Sequence, residues 1–370
     1  MRRVLITGGA GFIGSHLADE LLRAGDHVRV LDNLIEQVHE GAPRPEYLDP
    51  EVELHVGDIR DRAVVDRALE GIDAVVHLAA RVGVGQSMYE IAEYLAANTA
   101  GTGVLLESLL DRSVERLVVA SSMSVYGEGL YATPSGEPVA VEERTRAQLE
   151  RREWDPRGPQ GETLVPIPTP ETKPPANSSV YALTKYDQER LCLVFGAAYG
   201  VPTVALRLFN VYGPNQALSN PYTGVLAIFS SRLLNDKRPL VYEDGQQRRD
   251  FVSVHDVARA FGAALESDRA AGHVINIGSG RDISILDIAA ELARALGKEA
   301  LEPEVTGTAR AGDIRHCFAD IARAKDLLGY APQVELAHGI EELTEWLAGQ
   351  SAEDRVEAAS RELAARGLTL

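Results

Sequence analysis

The sequence has little of what marks secreted or metal-binding proteins. Its 370 residues include two cysteines, Cys192 and Cys317, which have neither CxxC spacing nor the number that a disulfide framework needs. We therefore expect a reducing compartment, cysteines that fill the core or a pocket, and no bound metal ion.

Long apolar runs are also missing. No stretch of roughly 18 apolar residues occurs, so the sequence predicts no membrane-spanning helix. The opening MRRVLITGGAGFIG begins like a signal peptide, but Gly8 and Gly9 interrupt its apolar run too soon for the core of such a signal. The expected location is the cytoplasm.

Positive charge is scarce, since 37 Lys and Arg residues face 55 Asp and Glu residues and the net charge is −18. Such a surface repels nucleic acid and anionic membranes, so we expect neither as a partner. Phosphate recognition would need a few locally placed arginines. The hydrophobic share of 45% suffices for one large α/β domain or for two packed domains.

The first half of the chain alternates short apolar runs with helical patterns. The predicted strands are RRVLIT, DHVRVLD, VELHVGD, DAVVHLAA and ERLVVASS, and segments such as SHLADELLRAG between them have helical spacing. This alternation predicts a doubly wound parallel sheet with helices on both faces. Later, TVALRLFNVYG predicts a further strand, and helices are predicted at 224–235 and from His255.

The pattern stops at residues 128–175, which together with Ala176 hold 9 of the 18 prolines. Prolines at this density prevent long helices and strands, so we expect an irregular insertion with one short helix at 143–154. A surface loop and a lid over the substrate are both open interpretations. Residues 351–370 have a charged helical pattern and are expected to form a solvated tail.

The stretch VLITGGAGFIGSHLADEL predicts a strand, a glycine turn and a helix. Gly9, Gly11 and Gly14 satisfy G-x-G-x-x-G, and Gly8, Gly11 and Gly14 satisfy a looser form. Such a turn lets the backbone approach a pyrophosphate at a helix N-terminus. Asp32 ends the next predicted strand, where a carboxylate binds the adenosine ribose and repels a 2′-phosphate. NAD is therefore favoured over NADP.

Tyr181 and Lys185, in YALTK, lie four residues apart and share one face of a helix. An ammonium group beside a phenol stabilises the phenolate and lowers the pKa of the tyrosine. A tyrosine of this kind takes a proton from a sugar hydroxyl while hydride leaves the same carbon. The pattern predicts a catalytic pair.

With these motifs in place, the chain resembles the extended short-chain dehydrogenases/reductases, the NAD-dependent nucleotide-sugar epimerases and dehydratases. The resemblance covers residue 1 to about residue 348 apart from the insertion. The ordered motifs are TGGAGFIG, DN at 32–33, GDIRD at 57–61, HLAA at 77–80, NTAGT at 98–102, SSMSVYG at 121–127, YALTK, LRLFNVYGP at 206–214, RRDFVSVHD at 248–256 and GDIRH at 312–316.

The resemblance implies a Rossmann-type NAD-binding domain and a smaller, interleaved C-terminal α/β substrate domain. The expected boundaries are 1–127, 176–212 and 252–275 for the first domain, and 213–251 and 276–350 for the second. A homodimer is implied, with helices around 93–111 and 181–199 paired.

The resemblance also implies the site residues. The cofactor would contact Gly8, Gly11, Phe12, Ile13, Gly14, Asp32, Asn33, Asp58, Ile59, Leu78, Ala79, Ala80, Asn98, Tyr181 and Lys185. The catalytic trio would be Ser122, Tyr181 and Lys185. The substrate would contact Ser122, and its diphosphate Asn210, Arg249 and Arg310. For Arg315, a structural ion pair is as compatible with the sequence as a substrate contact.

Met123 and Ser124 restrict the reaction. Relatives that dehydrate the sugar carry Asp and Glu at these two positions, and the decarboxylases carry a glutamate in the place of Ser124. A thioether cannot protonate a leaving hydroxide, and a serine is a poor general base. The prediction is therefore a nucleotide-sugar 4-epimerase that works through a transient 4-keto sugar.

The sugar is less restricted than the reaction. The insertion and GPNQALSNPYTGV at 213–225 resemble the subgroup that includes dTDP-L-rhamnose 4-epimerases, which implies a dTDP-6-deoxyhexose. Cys317 lies where UDP-hexose 4-epimerases place a residue that limits the sugar pocket, so UDP-hexose or UDP-N-acetylhexosamine stays open. A dTDP-4-keto-6-deoxyhexose reductase and a non-catalytic sensor on the same fold are further alternatives.

Overall fold

The computed structural model describes residues 1–370, whose centre is a parallel sheet of seven strands. The strands follow one another across the sheet as Val274–Ile277, Thr203–Leu208, Arg116–Ser122, Ala74–His77, Arg3–Thr7, His27–Asp32 and Glu53–Val56. Strand order reverses between Arg3–Thr7 and Ala74–His77, which creates a crevice at the carboxyl ends of the strands. The predicted doubly wound sheet is confirmed, although its edge strand Val274–Ile277 was not predicted.

Helices cover both faces of the sheet because neighbouring side chains on each strand point to opposite faces. Val4 and Ile6 pack with Leu17 on one face, and Leu5 packs with Leu105 on the other. The helices of this domain are Phe12–Arg23, Glu36–His39, Arg62–Ala68, Val84–Ser87, Ile91–Tyr94, Gly101–Leu109, Val180–Tyr199 and Val254–Glu266, with a π-helix at Leu95–Ala100 and 3₁₀ turns at Met123–Tyr126 and Asp268–Ala270. Cys192 and Cys317 are free and buried in these two cores, as core fillers.

A third apolar core forms the smaller domain, and its helices are Val225–Leu234, Ile285–Ala295 and Leu336–Leu347. Its short strands pair as Asn210–Tyr212 with Phe251–Ser253, Leu240–Val241 with Glu304–Val305, and Arg248–Arg249 with Ile283–Ser284 and His316–Cys317. The predicted helix at 224–235 is confirmed.

One part of the expected boundary differs in the structure. Helix Ala322–Leu328 lies within the stretch assigned to the substrate domain, yet it packs on the edge strand Val274–Ile277. Ala324 and Tyr330 share the core of the first domain. These residues supply the apolar cover that the otherwise bare sheet edge needs.

The proline-rich insertion forms a small antiparallel sheet of Leu130–Ala132, Pro138–Ala140 and Val165–Ile167, with a short helix at Arg146–Glu150. Two ion pairs fasten it to the second domain: Arg144 contacts Glu243 at 2.7 Å with both side chains buried, and the more exposed Asp155 contacts the buried Arg315 at 2.8 Å. The short helix predicted at 143–154 is confirmed.

The expected solvated tail is wrong. Residues 351–370 contain the helix Val356–Ala365, whose Val356 and Leu363 are only 8% and 5% exposed. The apolar positions recur at helical spacing and pack onto the body of the protein. No helix, including this one, is long and apolar enough to cross a membrane.

Candidate active site

A cavity of about 780 Å³ lies at the carboxyl ends of the strands and extends between the two domains. Nearly all of the predicted site residues line it. They are Gly8, Gly11, Phe12, Ile13, Gly14, Asp32, Asn33, Asp58, Ile59, Leu78, Ala79, Ala80, Ser122, Tyr181, Lys185, Asn210, Arg249 and Arg310. No residue of the insertion 128–175 lines the cavity. The structure therefore favours an insertion that packs on the second domain over one that forms a lid on the substrate.

The glycine turn has the geometry that a pyrophosphate needs. Gly8 has φ +70°, and a Cβ there would lie 2.7 Å from the backbone nitrogen of Ala79. A Cβ on Gly14 would lie 2.4 Å from the Cα of Gly9, so neither position accepts a side chain. Helix Phe12–Arg23 begins directly after the turn with no side-chain cap and no acidic residue in its first turn. Its free N–H groups are therefore available to an anion.

Asp32 lies at the other end of the part of the cavity that would bind the cofactor. Its two carboxylate oxygens accept hydrogen bonds from the backbone N–H of Leu34 at 2.9 Å and of Ala10 at 3.1 Å. Burial raises the pKa of Asp32, and these two hydrogen bonds oppose that effect. Nearby, Arg60 holds the pKa of Asp58 at about 2 through its hydrogen bonds to that carboxylate. The guanidinium of Arg60 is thus already paired.

Asn98 does not line the cavity, contrary to prediction. Its fully buried side chain accepts from the N–H of Arg81 at 2.7 Å and donates to the carbonyl of Arg81 at 3.1 Å and to the hydroxyl of Thr184 at 2.9 Å. Asn98 therefore ties the loop after strand Ala74–His77 to helix Val180–Tyr199. Its neighbour Ala97 faces the cavity instead.

Helix Val180–Tyr199 presents Tyr181 and Lys185 to the cavity together, as the spacing predicted. The Ser179 hydroxyl caps the helix by accepting from the N–H of Ala182 at 3.1 Å. The N–H of Tyr181 donates to the Ser87 hydroxyl at 3.0 Å. The first turn of the helix is thus fixed from two sides.

Burial raises the pKa of Tyr181, and a hydrogen bond with Ser122 lowers it in part. The predicted lowering of this pKa by Lys185 is not found in the protein alone. The reason is the direction of the ammonium group: the Nζ of Lys185 donates to the side-chain oxygen of Gln188 at 2.6 Å. Burial also lowers the pKa of Lys185 to about 8.

Gln188 was not predicted, although it follows Lys185 by three residues and shares its helix face. Its amide nitrogen donates to the ring of His77 at 3.0 Å and to the carbonyl of Ala79 at 3.1 Å. These bonds fix the amide oxygen toward Lys185. Burial lowers the pKa of His77 to about 3, so the ring is neutral and can accept.

The three hydroxyls of SSMSVYG have different environments. Ser121 also lines the cavity, but its hydroxyl donates to the carboxylate of Glu189 at 2.7 Å, and Glu189 does not line the cavity. Ser122 and Ser124 both line the cavity, and the Ser124 hydroxyl donates to that of Ser122 at 2.9 Å. Met123 lines the cavity beside them, and no acidic side chain follows Ser122.

The opposite end of the cavity carries positive charge. The guanidinium of Arg249 donates to the carbonyls of Arg248 at 2.9 Å and Arg315 at 3.0 Å and to that of Ile314, and forms no ion pair with a carboxylate. Burial lowers its pKa below the ordinary guanidinium value. The side-chain oxygen of Asn210 is buried without a hydrogen-bond partner. The guanidinium of Arg249 suits an anionic ligand, whereas the Asn210 oxygen can only accept a hydrogen bond and would need a donor from the ligand.

Arg310 is more restrained than Arg249. It pairs with Asp313 at 2.8 Å, and its guanidinium stacks on the ring of Tyr242 at 4.4 Å from the centroid. Arg315 is buried, does not line the cavity and contacts Glu243 and Asp155. The structure therefore supports the ion-pair interpretation for Arg315.

Cys317 also lies outside the cavity. The side chain is buried in the core of the first domain, with its sulfur 3.9 Å from the hydroxyl of Thr169. The expected position of Cys317 at a sugar pocket is not found, since Cys317 does not line the cavity and its pairing partner on the neighbouring strand, Arg249, does.

The sequence matches the NAD dependent epimerase/dehydratase family over residues 4–148 and 158–278. A dTDP-L-rhamnose 4-epimerase from Burkholderia thailandensis is 40% identical over 94% of this chain and 95% of its own length. Two crystallised enzymes are similar in structure, each over 94% of this chain and 99% of its own. They are the UDP-glucose 4-epimerase of Thermus thermophilus in complex with NAD (TM-score 0.73, 32% identity) and a UDP-N-acetylglucosamine 4-epimerase from Methanobrevibacter ruminantium in complex with UDP-N-acetylmuramic acid (0.77, 29%).

The chain belongs to the NAD-dependent epimerase/dehydratase family. The predictions of a Rossmann-type fold, of an NAD-dependent enzyme of the epimerase class and of NAD as the cofactor are confirmed. The residues fit this cofactor, since the glycine cradle at Gly8 and Gly14 leaves no room for a Cβ and the uncapped helix start faces the same cavity as Asp32.

Proposed function

We propose that the protein is a nucleotide-sugar 4-epimerase that acts through a transient 4-keto intermediate on a dTDP-6-deoxyhexose such as dTDP-L-rhamnose. The observation that supports the proposal most strongly is the set of residues that line the cavity. Tyr181, Lys185 and Ser122 line it together with the glycine turn at one end and Arg249 at the other.

The chain supplies proton transfer and orientation. Bound NAD⁺ would supply the acceptor for hydride from the sugar carbon C4, and its reduced form the donor for the return of hydride to the other face. Tyr181 takes the proton of the C4 hydroxyl and gives it back, while Ser122 donates a hydrogen bond to the same oxygen. Ser124 donates to Ser122, so the proton of Ser122 is free to point at the substrate.

Burial raises the pKa of Tyr181 in the protein alone, and the positive charge of a bound NAD⁺ together with the ammonium of Lys185 would lower it. The ammonium donates one of its hydrogen bonds to Gln188. The three donors of an ammonium allow it to keep Gln188 and to reach a further acceptor.

The acidic groups of the cavity argue against elimination or decarboxylation as alternatives. Four carboxylates line it, and each has partners: Asp32 with backbone N–H groups, Asp58 with Arg60, Glu93 with Arg60 and Arg81, and Asp313 with Arg310. None follows Ser122, where the neighbouring side chains are a thioether and a hydroxyl. Oxidation and reduction at one carbon need no further acid or base.

Asn210, Arg249 and Arg310 would hold the diphosphate while the keto sugar turns to present its other face. Arg249 is the strongest candidate of the three because no carboxylate neutralises its charge. These residues would bind the diphosphate equally well in the substrate complex and in the transition state, so they affect KM more than kcat.

The choice of a dTDP-6-deoxyhexose is supported by the 40% identity to the Burkholderia thailandensis enzyme. The position of Cys317 in the core removes the specific reason that kept UDP-N-acetylhexosamine open. We further infer a role in deoxysugar biosynthesis, and a reducing, cytoplasmic location because both cysteines are free.

We also propose a homodimer. Helix Val180–Tyr199 exposes Leu183, Leu191 and Val194, and the segment Ile91–Ala100 exposes Ile91 and Leu95. Exposed apolar side chains on two adjacent helices favour a self-complementary interface. A dimer in light scattering that becomes a monomer in the double variant Leu191→Glu, Val194→Glu supports this, and a monomeric native protein contradicts it.

The function is tested by incubating the purified enzyme with dTDP-, UDP- and GDP-sugars and resolving the products by NMR. We expect dTDP-L-rhamnose and its C4 epimer to interconvert without added reductant. Faster turnover of UDP-sugars would transfer the assignment to the UDP class. Consumption of NADH with a 4-keto sugar, and no interconversion, would make the protein a ketoreductase.

A further inference from the structure

The last twenty residues, 351–370, are in contact with the cavity. We call them the C-terminal strap. Five of its side chains line the cavity: Val356, Ala359, Ser360, Leu363 and Leu368. They come from the helix Val356–Ala365 and from the short segment that follows it.

The strap is fastened to the second domain where it begins. The side chain of Asn235 donates to the carbonyl of Ala352 at 2.8 Å. The carboxylate of Asp354, itself buried, contacts Lys237 at 2.9 Å and Arg232 at 3.4 Å. All three partners lie at the carboxyl end of helix Val225–Leu234 or just beyond it.

Its last residues pair with the segment that carries Arg310. The N–H of Ala309 donates to the carbonyl of Leu370 at 2.8 Å, the N–H of Leu370 donates back to Ala309 at 2.8 Å, and the N–H of Ala311 donates to Leu368 at 2.9 Å. The backbone on both sides of Arg310 is thus held by the strap.

The side chain of Arg310 depends on the strap as well. Its guanidinium stacks on Tyr242, and the hydroxyl of Tyr242 lies 3.1 Å from that of Ser360. The strap therefore fixes the ring on which Arg310 rests.

The strap helix also contacts the first domain. Leu363 packs on Gly85, where an added Cβ would lie 3.3 Å from a methyl carbon of Leu363. Gly85 belongs to the helix Val84–Ser87, whose Ser87 accepts the N–H of Tyr181. Arg366 stacks on Tyr89 at 4.3 Å from the ring centroid. The strap spans from the arginine end of the cavity to the support of the catalytic tyrosine.

We propose that the C-terminal strap completes the substrate site, with residues 367–370 holding Arg310 in place for a diphosphate and Leu363 forming an apolar wall that selects the sugar. The second part rests on the proposed function. A methyl group at C6 packs against a leucine, whereas a hydroxymethyl group would bury an unpaired hydroxyl there. Leu363 is thus a specificity-determining residue for a 6-deoxy sugar.

The diphosphate part is tested by calorimetry with dTDP and UDP, which needs no epimerase activity. We expect the enzyme that lacks residues 367–370 to bind both about tenfold more weakly, because Arg310 loses its backbone support. Ser360→Ala, which keeps the full chain, should weaken binding about fivefold. NAD affinity should stay unchanged in both variants.

The matched control is Arg361→Ala, an exposed position on the same helix. It should bind dTDP as the native enzyme does. The melting temperature of each variant, compared with that of the native enzyme, shows whether weaker binding results from partial unfolding. Native dTDP affinity in both the shortened chain and Ser360→Ala would overturn this part of the proposal.

The sugar part is tested with Leu363→Ala. We expect KM for the dTDP-6-deoxyhexose to rise about tenfold with kcat within about twofold, and the preference over a dTDP-hexose to fall by a similar factor. Unchanged KM and preference would overturn it. If no sugar nucleotide is turned over, the proposed function fails, and the dTDP titrations still decide whether the strap holds Arg310.

Discussion

The ammonium of Lys185 donates a hydrogen bond to the side-chain oxygen of Gln188 over 2.6 Å. The amide of Gln188 is fixed by His77 and the carbonyl of Ala79, so the lysine is held by a neutral partner in a buried place. A neutral partner does not offset the cost of burying the charge, and the pKa of Lys185 falls to about 8.

This pairing predicts how activity depends on pH. Lys185 loses its proton as the pH rises through about 8, so kcat/KM should fall above that pH. In Gln188→Glu a carboxylate stands beside the ammonium, raises its pKa and should move the fall to higher pH. Gln188→Met is the uncharged control. If kcat/KM of Gln188→Glu falls at the same pH as that of the native enzyme, the assignment of this fall to Lys185 is wrong.

Ser124 should affect turnover rather than binding. Its hydroxyl donates to Ser122 over 2.9 Å and leaves the proton of Ser122 free for the substrate. Ser124→Ala should lower kcat about fivefold, the value of one ordinary hydrogen bond, with KM unchanged. Steady-state kinetics check this, and an increase in KM alone would argue against an orienting role.

Asp32 should determine the choice of cofactor. In Asp32→Ala the ribose loses a charged acceptor, and NAD should bind roughly 10- to 100-fold more weakly. NADP should gain relative to NAD because the repulsion of its phosphate is removed. Fluorescence titration with both reduced cofactors measures the ratio. Retained discrimination against NADP would show that another group repels the phosphate.

Arg249 and Arg315 provide a contrast between a binding and a structural arginine. Arg249 lines the cavity and has no carboxylate partner, whereas Arg315 is buried among Glu243, Asp244 and Asp155. Arg249→Met should raise KM for the nucleotide sugar about tenfold, with a smaller loss of stability than Arg315→Met, from the three carbonyls that lose their donor. Arg315→Met should destabilise the fold by about 3 kcal/mol or more and leave the KM of the folded fraction near native. The larger stability loss in Arg249→Met and a raised KM in Arg315→Met would show that the two roles are reversed.

The sequence predicted the features whose physical cause is local. The glycine turn, the carboxylate at Asp32 and the four-residue spacing of Tyr181 and Lys185 each follow from a single turn or helix. The central sheet followed from the alternation of buried strands with helices.

The features that were missed depend on contacts between distant segments. The strap was expected in solvent because of its many charged residues, yet Val356, Ala359 and Leu363 recur at helical spacing and could have indicated a buried face. Asn98 follows the cavity residue Ala97 in the chain, and Cys317 pairs with the cavity residue Arg249 on the neighbouring strand, yet neither Asn98 nor Cys317 lines the cavity. The partners that fix Gln188, and through it Lys185, come from strand Ala74–His77, the loop after it and helix Gly101–Leu109.

The most direct test of the account concerns the phenol of Tyr181. The variant Tyr181→Phe keeps the ring and removes the proton acceptor, so turnover followed by NMR should fall by about 10²- to 10⁴-fold, while calorimetry shows native affinities for NAD and dTDP. Turnover close to that of the native enzyme in a properly folded Tyr181→Phe variant would contradict the assignment of Tyr181 as the group that moves the proton.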